Sequence, residues 1–197
     1  MTEDPLDFLT LVRQRQSVRG YRPDPVNSEA IYRCIEAARL APSACNSQPW
    51  TFIVVDDIKL KNEIADLAAD RVLSLNHFTK QAPVIVVIVV EPANLSARFG
   101  AALKARPLPW IDLGIVAEHF CLQATAEGLG TCLLGWFKEK PIKRLLGIPA
   151  NKRIGLLITL GHPTDDRIRT KQRKDVATIT RHNAYQPQEG STHGKEK

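Results

Sequence analysis

The sequence predicts a mixed α+β or α/β domain, with the strands of a sheet interleaved among helices. Three observations carry this. Val84 to Val90 is continuously apolar and β-branched, the signature of a central strand covered on both faces. Residues 111–127 form a long helix whose Ile115, Val116, Phe120, Cys121, Leu122 and Ala124 spread around most of its circumference, so it is buried as a spine or at a dimer seam. Shorter amphipathic helices and apolar strands alternate on either side of these two elements, within a length of 197 residues that fits one domain.

In chain order, Asp4 before Pro5 reads as an N-cap with proline in the first turn, and Leu6, Leu9 and Val12 follow at helical spacing. Residues 15–19 end this helix and lead through Gly20 to the turn Arg22, Pro23, Asp24, Pro25. Asn27 caps a second helix with a buried stripe of Ile31, Ile35 and Ala38, which stops before Pro42 because the residue preceding proline avoids the helical region. A polar loop, 43–48, leads to a strand over 51–55. Leu60, Ile64, Leu67 and Ala68 mark a third helix. Residues 92–109 are irregular, with room for a short helix. Gly128 and Gly130 end the long helix before a strand over 131–134. A short helix over 138–146 is closed by Gly147, and 154–160 is another buried strand. Residues 176–180 are expected to form a late strand. The domain is expected to span 1–181, with 182–197 a disordered tail.

Composition removes several function classes. A hydrophobic fraction of 44% and a charged fraction of 24% are ordinary for a soluble protein. The net charge of +6 raises nucleic-acid binding, but the basic residues are scattered apart from Arg167, Arg169, Lys171, Arg173 and Lys174. Few aromatics interleave with that run, so a local pocket for a phosphorylated ligand is the more economical reading. Cys34, Cys45, Cys121 and Cys132 form no C-x-x-C pair and no zinc spacing with histidine, which predicts buried thiols and no metal. The acidic start is not a signal peptide, and no apolar run can span a bilayer, so a cytoplasmic protein is expected.

Four segments can carry chemistry. Arg15, Ser17 and Arg19 can hold a phosphate with two guanidiniums and a hydroxyl, or be a solvated basic turn. The loop 41–50 offers backbone donors and carboxamides suited to the edge of a heteroaromatic ring, or is a connector with a core Trp50. The turn Leu133, Leu134, Gly135, Trp136 can bring backbone N–H groups to a ligand, or is a plain strand end. It is not a G-x-G-x-x-G fingerprint, and no Walker P-loop occurs. The basic run 167–174 is a ligand cradle or a solvated face.

Taken jointly, these segments resemble the nitroreductase family of FMN-dependent NAD(P)H oxidoreductases. The matching residues are Arg15, Gln16, Ser17, Val18, Arg19, Gly20 and Tyr21; Ala41, Pro42 and Ser43 with Asn46, Gln48, Pro49 and Trp50; Asp112, Leu113 and Gly114; Gly128 to Thr131; and Lys171 to Lys174. The resemblance runs from about Asp7 to about Thr180. It implies an α+β sandwich, with a central mixed sheet flanked by helices, in an intertwined homodimer with shared flavin sites.

By resemblance, Arg15, Ser17, Lys171 and Arg173 hold the FMN phosphate, with Gln16 beside them. Arg19 lies by the N1–C2 carbonyl edge of the flavin. Pro42, Ser43 and Asn46 reach the flavin of the other subunit, Leu134 and Gly135 supply backbone contacts near N5 and O4, and Asn76 is a further partner for the pyrimidine edge. The implied activity is two-step hydride transfer from NADH or NADPH to a nitroaromatic, quinone or similar small acceptor. The flavin carries the chemistry, so no general acid or base is assigned. A flavin carrier or sensor without turnover is an alternative. So is a dehalogenating or flavin-fragmenting branch of the same fold, for which 92–109 is the segment placed to act as a lid. Two positions depart from the family pattern. Gln16 stands where many members carry Arg or His, and Ala44 and Cys45 fill a loop that more often carries hydroxyls.

Overall fold

The computed structural model describes residues 7–70, 75–92 and 107–185. Its centre is a four-stranded sheet of β1 (Trp50–Val55), β2 (Val84–Val90), β3 (Gly130–Leu134) and β4 (Arg153–Gly161), in the order β1-β2-β4-β3. All three ladders are antiparallel, and the parallel contribution among the described residues is one bridge between Ser17 and Thr131. Around the sheet lie α1 (Phe8–Gln14), α2 (Ser28–Arg39), α3 (Ile58–Ala68), α4 (Leu108–Ala126), α5 (Glu139–Leu145) and the short α6 (Val176–Ile179).

The uniform β-branching of β2 has a direct cause. Successive side chains point to opposite faces, and both faces are covered. Val84, Val86 and Ile88 enter a core with Ile31, Cys34 and Ala38 of α2 and Val116 and Phe120 of α4. Ile85, Val87 and Val89 enter a second core with Ile64 and Ala68 of α3 and Ile142 of α5. The molecule is therefore a three-layer sandwich, α2 and α4 over one face and α3 and α5 over the other. Helix α4 buries Leu113, Val116, Ala117, Phe120, Cys121 and Ala124, but its first turns leave Trp110 and Ile111 about half exposed.

Asn27 caps α2 as expected, accepting from Glu29 N–H at 2.9 Å, and Asp57 caps α3 in the same way. The cap of α1 is Asp7, which accepts from Thr10 N–H; the expected cap Asp4 and Leu6 lie outside the described residues. Ile35 is only half-buried, and Cys34 takes the core position beside it.

The expected strand at 176–180 is a correction. Val176–Ile179 is one helical turn, with Val176 and Ile179 exposed and no strand beside it among the described residues. An isolated strand has no ladder for its N–H and C=O groups, whereas the turn satisfies Thr178 N–H on the Asp175 carbonyl. Three cysteines are buried as expected, but Cys45 is exposed. The expected tail beyond residue 185 and most of the irregular segment 92–109 lie outside the described residues. Among the described residues, no helix is long and apolar enough to cross a membrane, and no group of His, Cys, Asp or Glu side chains is arranged to hold a metal ion.

Candidate functional site

The segment after α1 is laid against the outer edge of β3. Val18 N–H donates to the Thr131 carbonyl at 2.8 Å. The approach requires glycine at position 130, where a Cβ would fall 2.7 Å from Val18 Cγ2. Tyr21 anchors the far end. Its buried hydroxyl donates to the Val18 carbonyl at 2.9 Å and lies 2.7 Å from Thr159 Oγ1, and burial pushes its pKa above the usual phenol value. Arg15, Ser17 and Arg19 are thus carried on a short, rigid ribbon between helix and sheet.

The chain returns to this ribbon after β4. The Gln16 carboxamide donates to the Arg167 carbonyl at 2.9 Å and accepts from both Arg169 N–H and Arg169 Nε at 3.1 Å. The Arg169 guanidinium also reaches the Ser17 carbonyl. Lys171 Nζ donates to the carbonyls of Val12 and Arg13 in the last turn of α1, as a cation should at a helix C-terminus.

The result is a cleft of about 380 Å³ walled by Arg15, Gln16, Ser17, Arg19, Arg169, Lys171 and Arg173. An adjoining cleft of about 470 Å³ shares Gln16, Ser17, Arg19 and Arg169 and adds Thr164 and Arg167. Residues from the two ends of the chain, which sequence alone could only pair by resemblance, therefore face one space. Positive charge there is under-compensated. Partial desolvation first, then Arg15 and Arg173, hold the Lys171 pKa below the usual lysine value, with Glu118 opposing. Arg15 Nε pairs with Glu118 of α4 at 2.9 Å. Arg19 lies 6.0 Å over the Phe78 ring.

Other expected site residues lie outside both clefts. Leu134 is buried at the end of β3, and Gly135 follows it with an exposed backbone where a Cβ would meet nothing within 4 Å. Asn76 spends its amide donors on the carbonyls of Ala68 and Trp136, both at 3.1 Å, so its first task is to tie α3 to the turn after β3. Pro42, Ser43 and Asn46 line neither cleft. Their loop is fastened to α4 through Ala44 N–H and the Asp112 carboxylate at 3.2 Å. Arg169 and Asp112, known from the sequence only as members of the basic run and of a motif, take specific structural tasks here, and Glu118 is a partner the sequence did not single out. The alternation of cations at 167, 169, 171 and 173 was the available signal for the first of them.

A sandwich of this kind, with a cationic ribbon along the edge of its sheet, defines a class of fold shared with known proteins. The profile of the Nitroreductase family matches residues 12–162. The NADH dehydrogenase of Thermus thermophilus is 28% identical over 187 residues, covering 82% of this chain and 89% of its own. The iodotyrosine deiodinase of Thermotoga neapolitana is 23% identical over 195 residues, covering 89% and 97%. A nitroreductase family protein from Clostridium novyi NT superimposes with a TM-score of 0.71 at 30% identity, covering 83% of this chain and 89% of that one. The chain belongs to the nitroreductase family, and it is an enzyme of the oxidoreductase class.

Proposed function

We propose that the chain binds FMN and moves a hydride from NADH or NADPH to a small electron-poor acceptor, a nitroaromatic or quinone, in two successive steps. The observation that carries this reading is the convergence of Arg15, Ser17, Lys171 and Arg173 on one cleft whose positive charge Glu118 offsets only in part. A phosphate monoester dianion would relieve that repulsion and accept charge-assisted hydrogen bonds from these side chains. The bound flavin would supply the redox chemistry, and the residues hold and orient it. Arg19 would place a cation at the pyrimidine edge, Leu134 and Gly135 an open backbone edge near N5, and Gln16 the clamp that keeps 167–173 against the ribbon.

The purified protein is expected to be yellow, with one FMN per chain and with FMN bound far more tightly than riboflavin. Equal affinities for the two would end the phosphate assignment. Anaerobic addition of NADH or NADPH should bleach the flavin, and steady turnover with a quinone separates an enzyme from a carrier or sensor. The deiodinase relative favours a second reading, reductive dehalogenation. Turnover of a halogenated phenol but not of a quinone would select it.

Arg19→Gln is expected to lower the flavin's two-electron potential by tens of millivolts, about 30 mV for each ~1.4 kcal/mol. A cation beside that edge stabilises the electron-rich form more than the neutral one. FMN affinity should change less, since glutamine keeps a donor. A steady potential with collapsed FMN binding in a dye-equilibrated titration would move Arg19 to the phosphate anchors.

The active species is proposed to be a homodimer. Phe8 and Leu9 of α1 and Trp110 and Ile111 of α4 are exposed apolar side chains on two helices that pack together. The 42–46 loop also hangs from Asp112, six residues before the Glu118 that holds Arg15. Six residues turn a helix by about 240°, so loop and cleft leave α4 on different faces. That separation is compatible with the proposed dimer, in which the loop serves the cleft of a second copy. A stable monomer that keeps its flavin in light scattering would refute this.

A further inference from the structure

The loop between α2 and β1 holds three non-glycine residues in left-handed backbone, Cys45 at φ 52°, Asn46 at φ 50° and Gln48 at φ 47°. Such a run persists only where surrounding contacts over-determine it. Backbone bonds inside the loop, Asn46 N–H to the Ser43 carbonyl at 3.0 Å and Ser47 N–H to the Ala44 carbonyl at 3.1 Å, are joined by side-chain contacts. Ala44 N–H donates to both oxygens of the Asp112 carboxylate at 3.2 Å, and Gln48 N–H donates to Ser43 Oγ at 2.9 Å. Gln48 Nε2 donates to Asn46 Oδ1 at 3.1 Å. Asp112 is 5% exposed and makes no ion pair among the described residues. Both oxygens of this buried carboxylate accept from the loop, so its hydrogen bonding is committed to Ala44 N–H.

The bonds inside the loop also have a direction. They occupy acceptor positions of Ser43 and Asn46, which leaves the Ser43 hydroxyl hydrogen and the Asn46 amide hydrogens as donors to an outside group. We propose that Asp112 is a positioning residue: by accepting from Ala44 N–H it holds Cys45 and Asn46 in the left-handed turn and so aims Ser43 and Asn46, as donors, at the acceptor-rich flavin of a second copy of this chain. Asp112 itself touches no reacting atom. The inference rests on the proposed FMN dimer.

The test is FMN titration of whole dimers. Asp112→Ala is expected to weaken FMN about tenfold, with dimer mass intact. Asp112→Asn keeps an acceptor oxygen and should stay within about threefold of wild type. Cys45→Gly added to Asp112→Ala should recover most of the loss, because glycine adopts the left-handed turn without strain. Co-expressed, differently tagged Asp112→Ala and Arg173→Ala subunits give the decisive readout. Mixed dimers should regain one tight site, formed by the intact cleft of the first subunit and the intact loop of the second. A loss in Asp112→Asn as large as in Asp112→Ala overturns the proposal, as do an unrescued double variant and mixed dimers with no tight site. Wild-type protein that binds no FMN would instead overturn the reading beneath it.

Discussion

Phe120→Ala is expected to destabilise the apoprotein by about 3–5 kcal/mol, the range for deleting a large aromatic from a core that relaxes only in part. Phe120 is completely buried in the middle of α4, among α2, β2 and β4 side chains. Its ring stacks near Phe52 of β1, centroids 6.3 Å apart and planes at 23°. The loss combines the transfer free energy of the ring with a cavity where helix and sheet meet. Small domains have total stabilities of about 5–15 kcal/mol, so much of the folded population is at stake. Urea unfolding should show a lower midpoint with little change in slope. A loss below about 1 kcal/mol would mean that α2 collapses into the space, and that α4 is not the rigid spine from which both Arg15 and the 42–46 loop are hung.

The parts of the fold legible in the sequence are those set by local periodicity and burial. Val84 to Val90 could be read as a central strand because both of its faces need apolar side chains, and Asn27 as a cap because it bonds a neighbour two residues away. The antiparallel order β1-β2-β4-β3 was not legible, since it depends on which distant strands pair. The strand expected at 176–180 failed for a related reason. Val176, Ala177 and Thr178 have strand-compatible patterning, but no sheet edge meets them among the described residues.

The site divides along the same line. Arg15, Ser17, Lys171 and Arg173 were named from motifs, and they do face one cleft. Gln16 was assigned to the cofactor, yet its carboxamide makes its bonds to Arg167 and Arg169, about 150 positions away in the chain. No spacing rule reaches that far. Asp112 read as part of a motif that opens the long helix. The structure starts α4 four residues earlier, which puts the Asp112 carboxylate in the second turn and against the 42–46 loop.

Arg173→Ala is expected to weaken FMN binding by about 1.5–3 kcal/mol, the scale of a hydrogen bond to a charged group. That corresponds to roughly a 10- to 150-fold rise in the dissociation constant. Arg173 is exposed and has no carboxylate partner among the described residues; its guanidinium donates to the adjacent Gln172 carbonyl at 2.7 Å. Deleting it therefore leaves no buried group unpaired, and the melting temperature of the apoprotein should hold. The same deletion removes one of the two guanidiniums that, after desolvation, depress the Lys171 pKa, so the ammonium is less repelled and gains less from a phosphate. Both consequences weaken the ligand. Lys174→Ala is the control. It lies in the same run but does not wall the cleft, and it should change FMN affinity by less than about twofold, as expected for a screened surface charge. The measurement is flavin fluorescence titration at two salt concentrations. Arg173→Ala should lose part of the salt dependence shown by wild type, because a direct phosphate contact has gone. Equal affinities for Arg173→Ala and wild type would return residues 167–174 to a solvated face, and the phosphate would have to be held by Arg15 and Ser17 without help from the returning chain.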